Sequence, residues 1–209
     1  MTTLAAEWIM PSVHLIDAIG QMLVQIVVAP IPPSVVTNLF FILGVAGHPL
    51  TLTGVLCVIC LIELFRHRDS VAVFYIAAVS VTWVVVNTLK YFIGRGRPQL
   101  VDSFLIFANG SSFPSGHTAM STVVYGYVIW LLYKRYSRAG RQAGNRGWNM
   151  LRFTLAALLS ILIVMIGFSR VYEGVHWFSD VLAGWGAGAI VIATVVLISR
   201  VREKGQEAI

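Results

Sequence analysis

Long uninterrupted apolar stretches constrain the fold of this chain more than any other feature. Five of them cover about residues 50–65, 71–93, 116–133, 152–169 and 178–199. A helix of about 20 apolar residues crosses a bilayer, and a helix satisfies its own backbone polar groups inside lipid. The composition agrees, because only 11% of residues are charged against roughly 25% in soluble domains. We therefore predict an all-α, polytopic transmembrane helical bundle in which these stretches are five spans.

The N-terminal region admits two interpretations. A polar residue recurs every three or four positions in the segment 13–29, at His14, Asp17, Gln21 and Gln25. These residues form a stripe along one helical face, so the helix either spans the membrane with the stripe turned inward or lies in the interface. Five or six spans are therefore expected. PIPP at 30–33 breaks the helix, and residues 34–47 are predicted to form a short interfacial or re-entrant helix.

These helices leave no room for a second domain, so we predict one membrane-embedded domain over residues 1–209. No basic residue precedes Arg66, and no cleavable signal peptide is expected. Cys57 and Cys60 lie inside an apolar run without the exposure or further ligands of a redox or zinc site, and are predicted to be small core residues. Basic residues lie beside apolar spans rather than in a soluble basic patch, so no nucleic-acid partner is expected.

The distribution of the fifteen Lys and Arg residues predicts the orientation of the chain in the membrane. Five alternating spans assign eleven of them to one face, which the positive-inside rule identifies as cytoplasmic. Those eleven are Arg66, Arg68, Lys134, Arg135, Arg138, Arg141, Arg146, Arg152, Arg200, Arg202 and Lys204. The other four are Lys90, Arg95, Arg97 and Arg170. These four lie on the outer face, close in sequence to other polar residues.

Three polar segments meet on that outer face: KYFIGRGRP at 90–98, SSFPSGH at 111–117 and SRVYEGVHWFSD at 169–180. Each alone has an ordinary explanation, such as basic side chains that anchor a helix end or a helix that starts with proline. Together they assemble cations, two histidines, a serine, a helix N-terminus and a carboxylate. Phosphoryl transfer depends mostly on positioning and on stabilising negative charge. The combination therefore predicts a site for phosphoryl chemistry.

The residue types also predict the chemical role of each side chain in this site. Lys90, Arg97 and Arg170 supply positive charge, and the amides around 115–117 begin a helix and point toward an anion.

His176 and Asp180 are four residues apart, which predicts that they lie one helical turn apart on the same face, so Asp180 can accept the imidazole N–H and leave the other nitrogen as a nucleophile. His117 is then free to act as a general acid.

The three segments resemble the signature of the type 2 phosphatidic acid phosphatase family. That signature is Lys, six residues, Arg-Pro; Pro-Ser-Gly-His; and Ser-Arg, five residues, His, three residues, Asp, and every position is filled at 90–98, 114–117 and 169–180. The likeness extends over about 47–199. It implies a bundle usually of six helices that hydrolyses lipid phosphates through a phosphohistidine, without metal or other cofactor. The chain departs from the family pattern at the N-terminus. The family has its first span there, whereas this chain has only the polar-striped segment 13–29.

By this resemblance His176 is the nucleophile, Asp180 orients it and His117 protonates the leaving oxygen. The residues that would hold the phosphate are Lys90, Arg97, Ser115, Gly116, Ser169 and Arg170. The implied substrate is a lipid phosphate, such as undecaprenyl diphosphate, phosphatidylglycerol phosphate, phosphatidate or a lipid A phosphate. The implied location is a bacterial inner (cytoplasmic) membrane, with membrane lipids around the chain and the site on the outer face. The choice of lipid and the oligomeric state stay open.

Other functions fit parts of the pattern. A zinc hydrolase could use His117, His176 and Asp180 as ligands, but the adjacent cations would repel a dication, so no metal is expected. A lipid phosphotransferase of the same family would share the first step. A non-enzymatic anion-binding transporter would explain the cations but not a general acid beside a carboxylate-oriented histidine.

Overall fold

The computed structural model describes residues 4–66, 69–98, 110–139 and 146–207. Every regular element in these ranges is an α-helix, which confirms the predicted all-α class. The helices are α1 (Leu4–Val28), α2 (Pro33–Ala46), α3 (Pro49–Phe65), α4 (Asp69–Ile93), α5 (Gly116–Ala139), α6 (Arg146–Tyr172) and α7 (Phe178–Glu207). Arg68 and Arg141, two of the predicted cytoplasmic cations, lie outside the described residues.

Three helices are long and apolar enough to cross a bilayer, namely Val71–Ile93 in α4, Asn149–Tyr172 in α6 and Phe178–Arg202 in α7. Helices α2 and α3 meet the same requirement only together, as a pair bent by 50°. The described apolar part of α1, Ser12–Val28, is shorter than these spans. The total of five or six spans therefore stays a prediction.

Helix α5 forms where a span was predicted, but it is not among the helices that qualify as spans by length and composition. Its position explains this difference, because α5 packs against α3, α4, α6 and α7 and so faces protein on most sides. Val123 is fully buried, and so are the polar side chains of Thr118 and Ser121. The Ser121 hydroxyl donates to the Thr118 carbonyl at 3.1 Å, which satisfies it without water.

Close packing of α5 on α7 brings two signature segments together. A Cβ added to Gly184 of α7 would lie 2.8 Å from the Ser115 carbonyl oxygen, and one added to Gly188 would lie 2.9 Å from that of Ala119. Small residues let two helix backbones approach in this way. The start of α5 therefore lies directly against the first turns of α7, which carry Asp180.

Helix α3 is buried along only a narrow stripe, which contains Leu52, Cys60 and Glu63. Cys60 belongs to the core as predicted. The prediction was wrong for Cys57, which is exposed, because it lies off the stripe that contacts the other helices.

Helix α1 packs against α6 and α7. Only one residue of its polar stripe, Asp17, is buried; Gln21 is half-buried, and His14 and Gln25 are exposed. The contact face is set instead by Gly20, where any side chain would collide with Phe178 of α7. The stripe is therefore turned inward only in part.

Candidate active site

The first signature segment turns back over the helix ends at Gly94. This residue has a φ of 59°, a backbone conformation that side chains disfavour, and α4 ends just before it. The Lys90 ammonium donates to the Ser111 carbonyl at 2.7 Å. Arg97 donates from Nη1 to the Val175 carbonyl at 2.7 Å. The first segment therefore contacts both of the others.

The second segment forms the N-terminus of α5. Ser115 is fully buried, and its N–H donates to the Asp180 carbonyl at 3.0 Å. Its hydroxyl accepts a hydrogen bond from Thr118 Oγ1 at 2.9 Å. A Cβ added to Gly116 would lie 4.0 Å from Lys90 Cε. The start of α5 and the Lys90 side chain therefore border the same space.

The third segment ends α6 and begins α7. Ser169 and Arg170 are buried in the last turns of α6. Arg170 donates from Nη2 to Glu173 Oε1 at 2.6 Å and from Nε to the Ser169 hydroxyl at 3.2 Å. Burial raises the pKa of the Glu173 carboxyl and Arg170 opposes this shift. A phosphate at Arg170 would therefore meet a guanidinium that already has one acidic partner.

His176 and Asp180 face each other, with Nδ1 3.6 Å from Oδ2. The contact is longer than a hydrogen bond, and within the described residues Nδ1 has no hydrogen-bond partner. His176 lies just before α7 rather than on it, so the predicted spacing of one helical turn is wrong in detail. The two side chains meet because Asp180 reaches back over the helix start and accepts the Trp177 N–H at 2.9 Å.

The surroundings of His176 favour its neutral form. The residue is only 4% exposed. Burial lowers the pKa of His176 below its ordinary value; Asp180 opposes this shift, and the charges of Arg97 and Lys90 add to it. Burial also lowers the pKa of Arg97, opposed by Asp180. Both the burial and the two cations therefore favour the neutral imidazole of His176, the form in which a histidine nitrogen can attack an electrophile.

His117 lies on the first turn of α5 and is partly buried. Arg170, His176 and Arg97 act on it electrostatically, so the two histidines and these cations lie close enough to influence one another. Its ring stands edge-on to that of His48, with 6.2 Å between centroids. Among the residues that the structure describes, no group of three or more His, Cys, Asp or Glu side chains is arranged to hold a metal ion.

Two residues of this region were not predicted to act there. Arg95 donates from Nη1 to Asp180 Oδ1 and from Nη2 to Asp17 Oδ2, each at 2.6 Å. Asp17 appeared in the sequence only as part of a polar stripe, and Arg95 only as an outer-face cation. A carboxylate on an otherwise apolar helix needs a partner, and Arg95 was the one outer-face cation without an assigned role. Those two observations together could have identified the pair.

Several known proteins are similar to this chain in sequence or in fold. The family model described as PAP2 superfamily matches residues 69–204. Phosphatidylglycerophosphatase B of Bacillus subtilis (strain 168) is 30% identical over 109 residues, which cover 52% of this chain and 48% of that protein. Putative undecaprenyl-diphosphatase YbjG of Escherichia coli (strain K12) is 32% identical over 117 residues, covering 54% and 49%. The match thus spans about half the length of these relatives.

Two solved structures have a similar fold. The crystal structure of a transmembrane PAP2 type phosphatidylglycerolphosphate phosphatase from Bacillus subtilis matches with a TM-score of 0.72 at 20% identity, covering 95% of this chain and 88% of that one. The crystal structure of Aquifex aeolicus LpxE matches with a TM-score of 0.60 at 25% identity, covering 84% and 93%. At 20% identity, the first of these matches shows a similar fold and nothing further.

Proposed function

Because the chain belongs to the PAP2 superfamily, we propose that it removes a phosphate group from a membrane lipid by passing it first to His176 and then to water. One observation carries this proposal. A buried histidine, held near a carboxylate, shares its pocket with a second histidine and several cations. Nucleophile, acid and charge stabilisation are the three requirements of phosphoryl transfer through a covalent intermediate.

The cations are held in place before substrate arrives. Backbone carbonyls accept one hydrogen bond from Lys90 and one from Arg97 Nη1. An ammonium has three donors and a guanidinium five, so each keeps donors for a phosphate oxygen. In the proposal the Ser115 hydroxyl and the Gly116 N–H complete the cradle, because a helix N-terminus favours an anion and the Ser115 N–H already donates to the Asp180 carbonyl. The Ser169 hydroxyl joins them by leaving the Ile166 carbonyl, to which it donates at 2.8 Å.

The proposed first step forms one bond and breaks one. Nε2 of neutral His176 attacks phosphorus, and the bond from phosphorus to the lipid oxygen breaks. His117 gives its proton to that oxygen, and Asp180 stabilises the imidazolium character that develops on His176. Burial, followed by the charges of Arg170 and Arg97, opposes a proton on His117. In the proposal the negative charge of bound phosphate opposes these effects, and His117 carries the proton only in the complex.

The second step uses the same residues in reverse. Water attacks the phosphorus of the phosphohistidine, His117 takes the proton of the water, and the nitrogen–phosphorus bond breaks. Inorganic phosphate leaves, and His176 returns to its neutral state.

In the proposal the lipid chain lies in an apolar groove beside this site. A groove of about 350 Å³ runs between α3, α4 and α5. Its lining includes Pro49, Leu52, Trp83 and Met120. Met120 lies about one helical turn beyond His117. An apolar chain in this groove would present its phosphate to the pocket. We propose a phosphomonoester or diphosphate of the undecaprenyl diphosphate, phosphatidylglycerol phosphate or phosphatidate type, because the similar proteins bear the names phosphatidylglycerophosphatase B and putative undecaprenyl-diphosphatase.

Phosphate release tests the activity. We expect the protein, purified in detergent, to release inorganic phosphate from at least one of these lipids and faster than from glycerol phosphate, which has no chain for the groove. Phosphate that appears only on a second lipid would identify a phosphotransferase instead. No transfer from any of the lipids would contradict the proposal.

Chelation tests the role of metal. Lys90 and Arg97 act electrostatically on His176, and Arg170 acts on His117. These positive charges would repel a dication bound between the two histidines, so we expect full activity in excess chelator. A loss of activity that added zinc or magnesium restores would show that metal takes part.

Orientation needs its own test. The chain is an integral membrane protein, and we propose that the site faces outward from a bacterial inner membrane. In a background with Cys57→Ala and Cys60→Ala, we expect a membrane-impermeant thiol reagent to label Ser111→Cys from outside. Ser137→Cys should react only after the membrane is opened. The reverse pattern would contradict the orientation.

A further inference from the structure

Arg95 connects three parts of the chain that are far apart in sequence. Its Nη1 donates to Asp180 Oδ1 at 2.6 Å and to the Ser179 hydroxyl at 2.7 Å. Its Nη2 donates to Asp17 Oδ2 at 2.6 Å. The guanidinium also lies 5.4 Å from the centre of the Trp177 ring. A planar fork of donors can bridge two carboxylates in this manner, whereas an ammonium has no such fixed fork.

Asp17 binds the start of α7 as well as Arg95. Its Oδ1 accepts the backbone N–H of Ser179 at 2.8 Å, which caps one of the free amides of that helix end. The side chain is 4% exposed. A buried carboxylate requires partners of this kind, and both partners lie next to Asp180.

We propose that Asp17 and Arg95 are positioning residues for the reaction at His176. Asp17 holds Arg95, Arg95 holds one oxygen of Asp180, and the other oxygen of Asp180 then faces the imidazole. The inference rests on the proposed phosphatase function.

The geometry of Asp180 explains why this support matters. Its Oδ1 is held by Arg95 and its Oδ2 by the Trp177 N–H, while Nδ1 of His176 is 3.6 Å from Oδ2. The carboxylate thus depends on Arg95 and Trp177 rather than on the histidine for its orientation. Without Arg95 only the Trp177 N–H holds the carboxylate, so its Oδ1 is no longer fixed and the imidazole faces a less well oriented partner.

The charges give Asp17 a second role. One guanidinium lies between two carboxylates, so its positive charge is shared and Asp180 keeps net negative charge to stabilise the imidazolium. Removing Asp17 would leave Arg95 to neutralise Asp180 alone. Removing Arg95 would expose His176 to the full charge of Asp180. The two changes therefore act on the protonation of His176 in opposite directions.

Kinetics of Arg95→Gln and Asp17→Asn test the inference. We expect kcat to fall about 100-fold in Arg95→Gln, because a misplacement of about 1 Å is enough for such a loss. In Asp17→Asn we expect roughly a 10-fold loss, as for a contacting charged pair, since asparagine still accepts the Ser179 N–H. The double variant should be no slower than Arg95→Gln, because Asp17 acts through Arg95.

The pH profile gives a readout that a purely structural role would not move. The acidic limb of kcat/KM reports the protonation of His176, because the imidazole must be neutral to attack. The other charged groups around it are Asp180 of α7, Lys90 and Arg97 of the first segment, and His117 of α5. These stay in place, so the limb should move to higher pH in Arg95→Gln and to lower pH in Asp17→Asn. Unmoved limbs, or shifts in the same direction, would overturn the inference.

Two controls separate the alternatives. Gln25→Ala changes an exposed polar residue of the same helix and should leave kcat unchanged. Inorganic phosphate, used as a competitive inhibitor, should bind Asp17→Asn no more weakly than the unchanged protein. Weaker binding there would mean that Asp17 supports the fold rather than the reaction, which overturns the inference. If Arg95→Gln does not fold, the inference is tested by Asp17→Asn alone. The acidic limb of its kcat/KM profile must then move to lower pH.

Failure of the inference differs from failure of the function. Phosphate release by the unchanged protein, with Asp17→Asn and Arg95→Gln both as fast as Gln25→Ala, would overturn the inference and leave the phosphatase in place. An unchanged protein that acts on no lipid phosphate would overturn the function itself.

Discussion

We expect His176→Ala to abolish the release of phosphate from every substrate, whether the leaving group is an alkyl or an aryl oxygen. The change removes the atom that would bond to phosphorus, and the described part of the pocket offers no second imidazole next to a carboxylate to replace it. Water would have to attack phosphorus directly, without the covalent intermediate that we propose. Turnover should therefore fall to the background of a preparation without the protein.

A matched variant keeps this result interpretable. His14 is an exposed histidine on α1, and His14→Ala should retain full activity. His176→Ala should elute from gel filtration like the unchanged protein, because the Val175 carbonyl that Arg97 uses stays in place. Substantial turnover by folded His176→Ala, even with an aryl phosphate alone, would show that another group attacks phosphorus.

His117→Ala should instead give a loss that depends on the leaving group. With an alkyl phosphate the departing oxygen needs a proton, and general acid help is worth about 100- to 10,000-fold, so the variant should be nearly inactive. With an aryl phosphate the phenolate leaves without a proton. The nucleophile is still present, so phosphoenzyme formation should recover.

A stopped-flow burst of phenol measures this recovery, because it reports the first step separately from hydrolysis. Slow hydrolysis after the burst is expected, since in the proposed second step His117 also activates the water. Equal losses with alkyl and aryl phosphates would contradict the role of His117 as general acid. His48 faces His117 at 6.2 Å between ring centroids, and His48→Ala, as a control, should not reproduce the dependence on the leaving group.

The sequence predicted the helices well where apolarity comes from contact with lipid. Helices α4, α6 and α7 are apolar enough to be recognised as spans. Helix α5 is less apolar because other helices surround it, and no local pattern distinguishes a neighbour in the bundle from lipid. The exposure of Cys57 has the same origin, since which face of α3 contacts protein depends on where α4 and α5 lie.

The candidate site was predictable to the extent that its residues lie in short local motifs. Lys90, Arg97, His117 and His176 come together as the three segments implied. The bridge made by Arg95 was not predicted, because it joins residues separated by 78 and 85 positions. Its formation depends on the turn at Gly94 and on the docking of α1, and neither is encoded in the spacing of the motifs.

The position of His176 shows the same limit on a smaller scale. A spacing of four residues suggested one helical face shared with Asp180. The helix begins only at Phe178, because Asp180 accepts the Trp177 N–H at the helix start. The spacing predicted that the two side chains lie near each other, and they do so, at 3.6 Å and through a different local structure, without the predicted hydrogen bond.

The location of the phosphoryl group during turnover decides the mechanism. Protein mixed with labelled lipid phosphate and quenched within milliseconds should carry acid-labile phosphate, and peptide mapping in alkali should locate it on His176. The label should persist longer in His117→Ala with an aryl phosphate and be absent from His176→Ala. Label that remains in His176→Ala and disappears in His117→Ala would contradict the proposal and assign the nucleophile to His117.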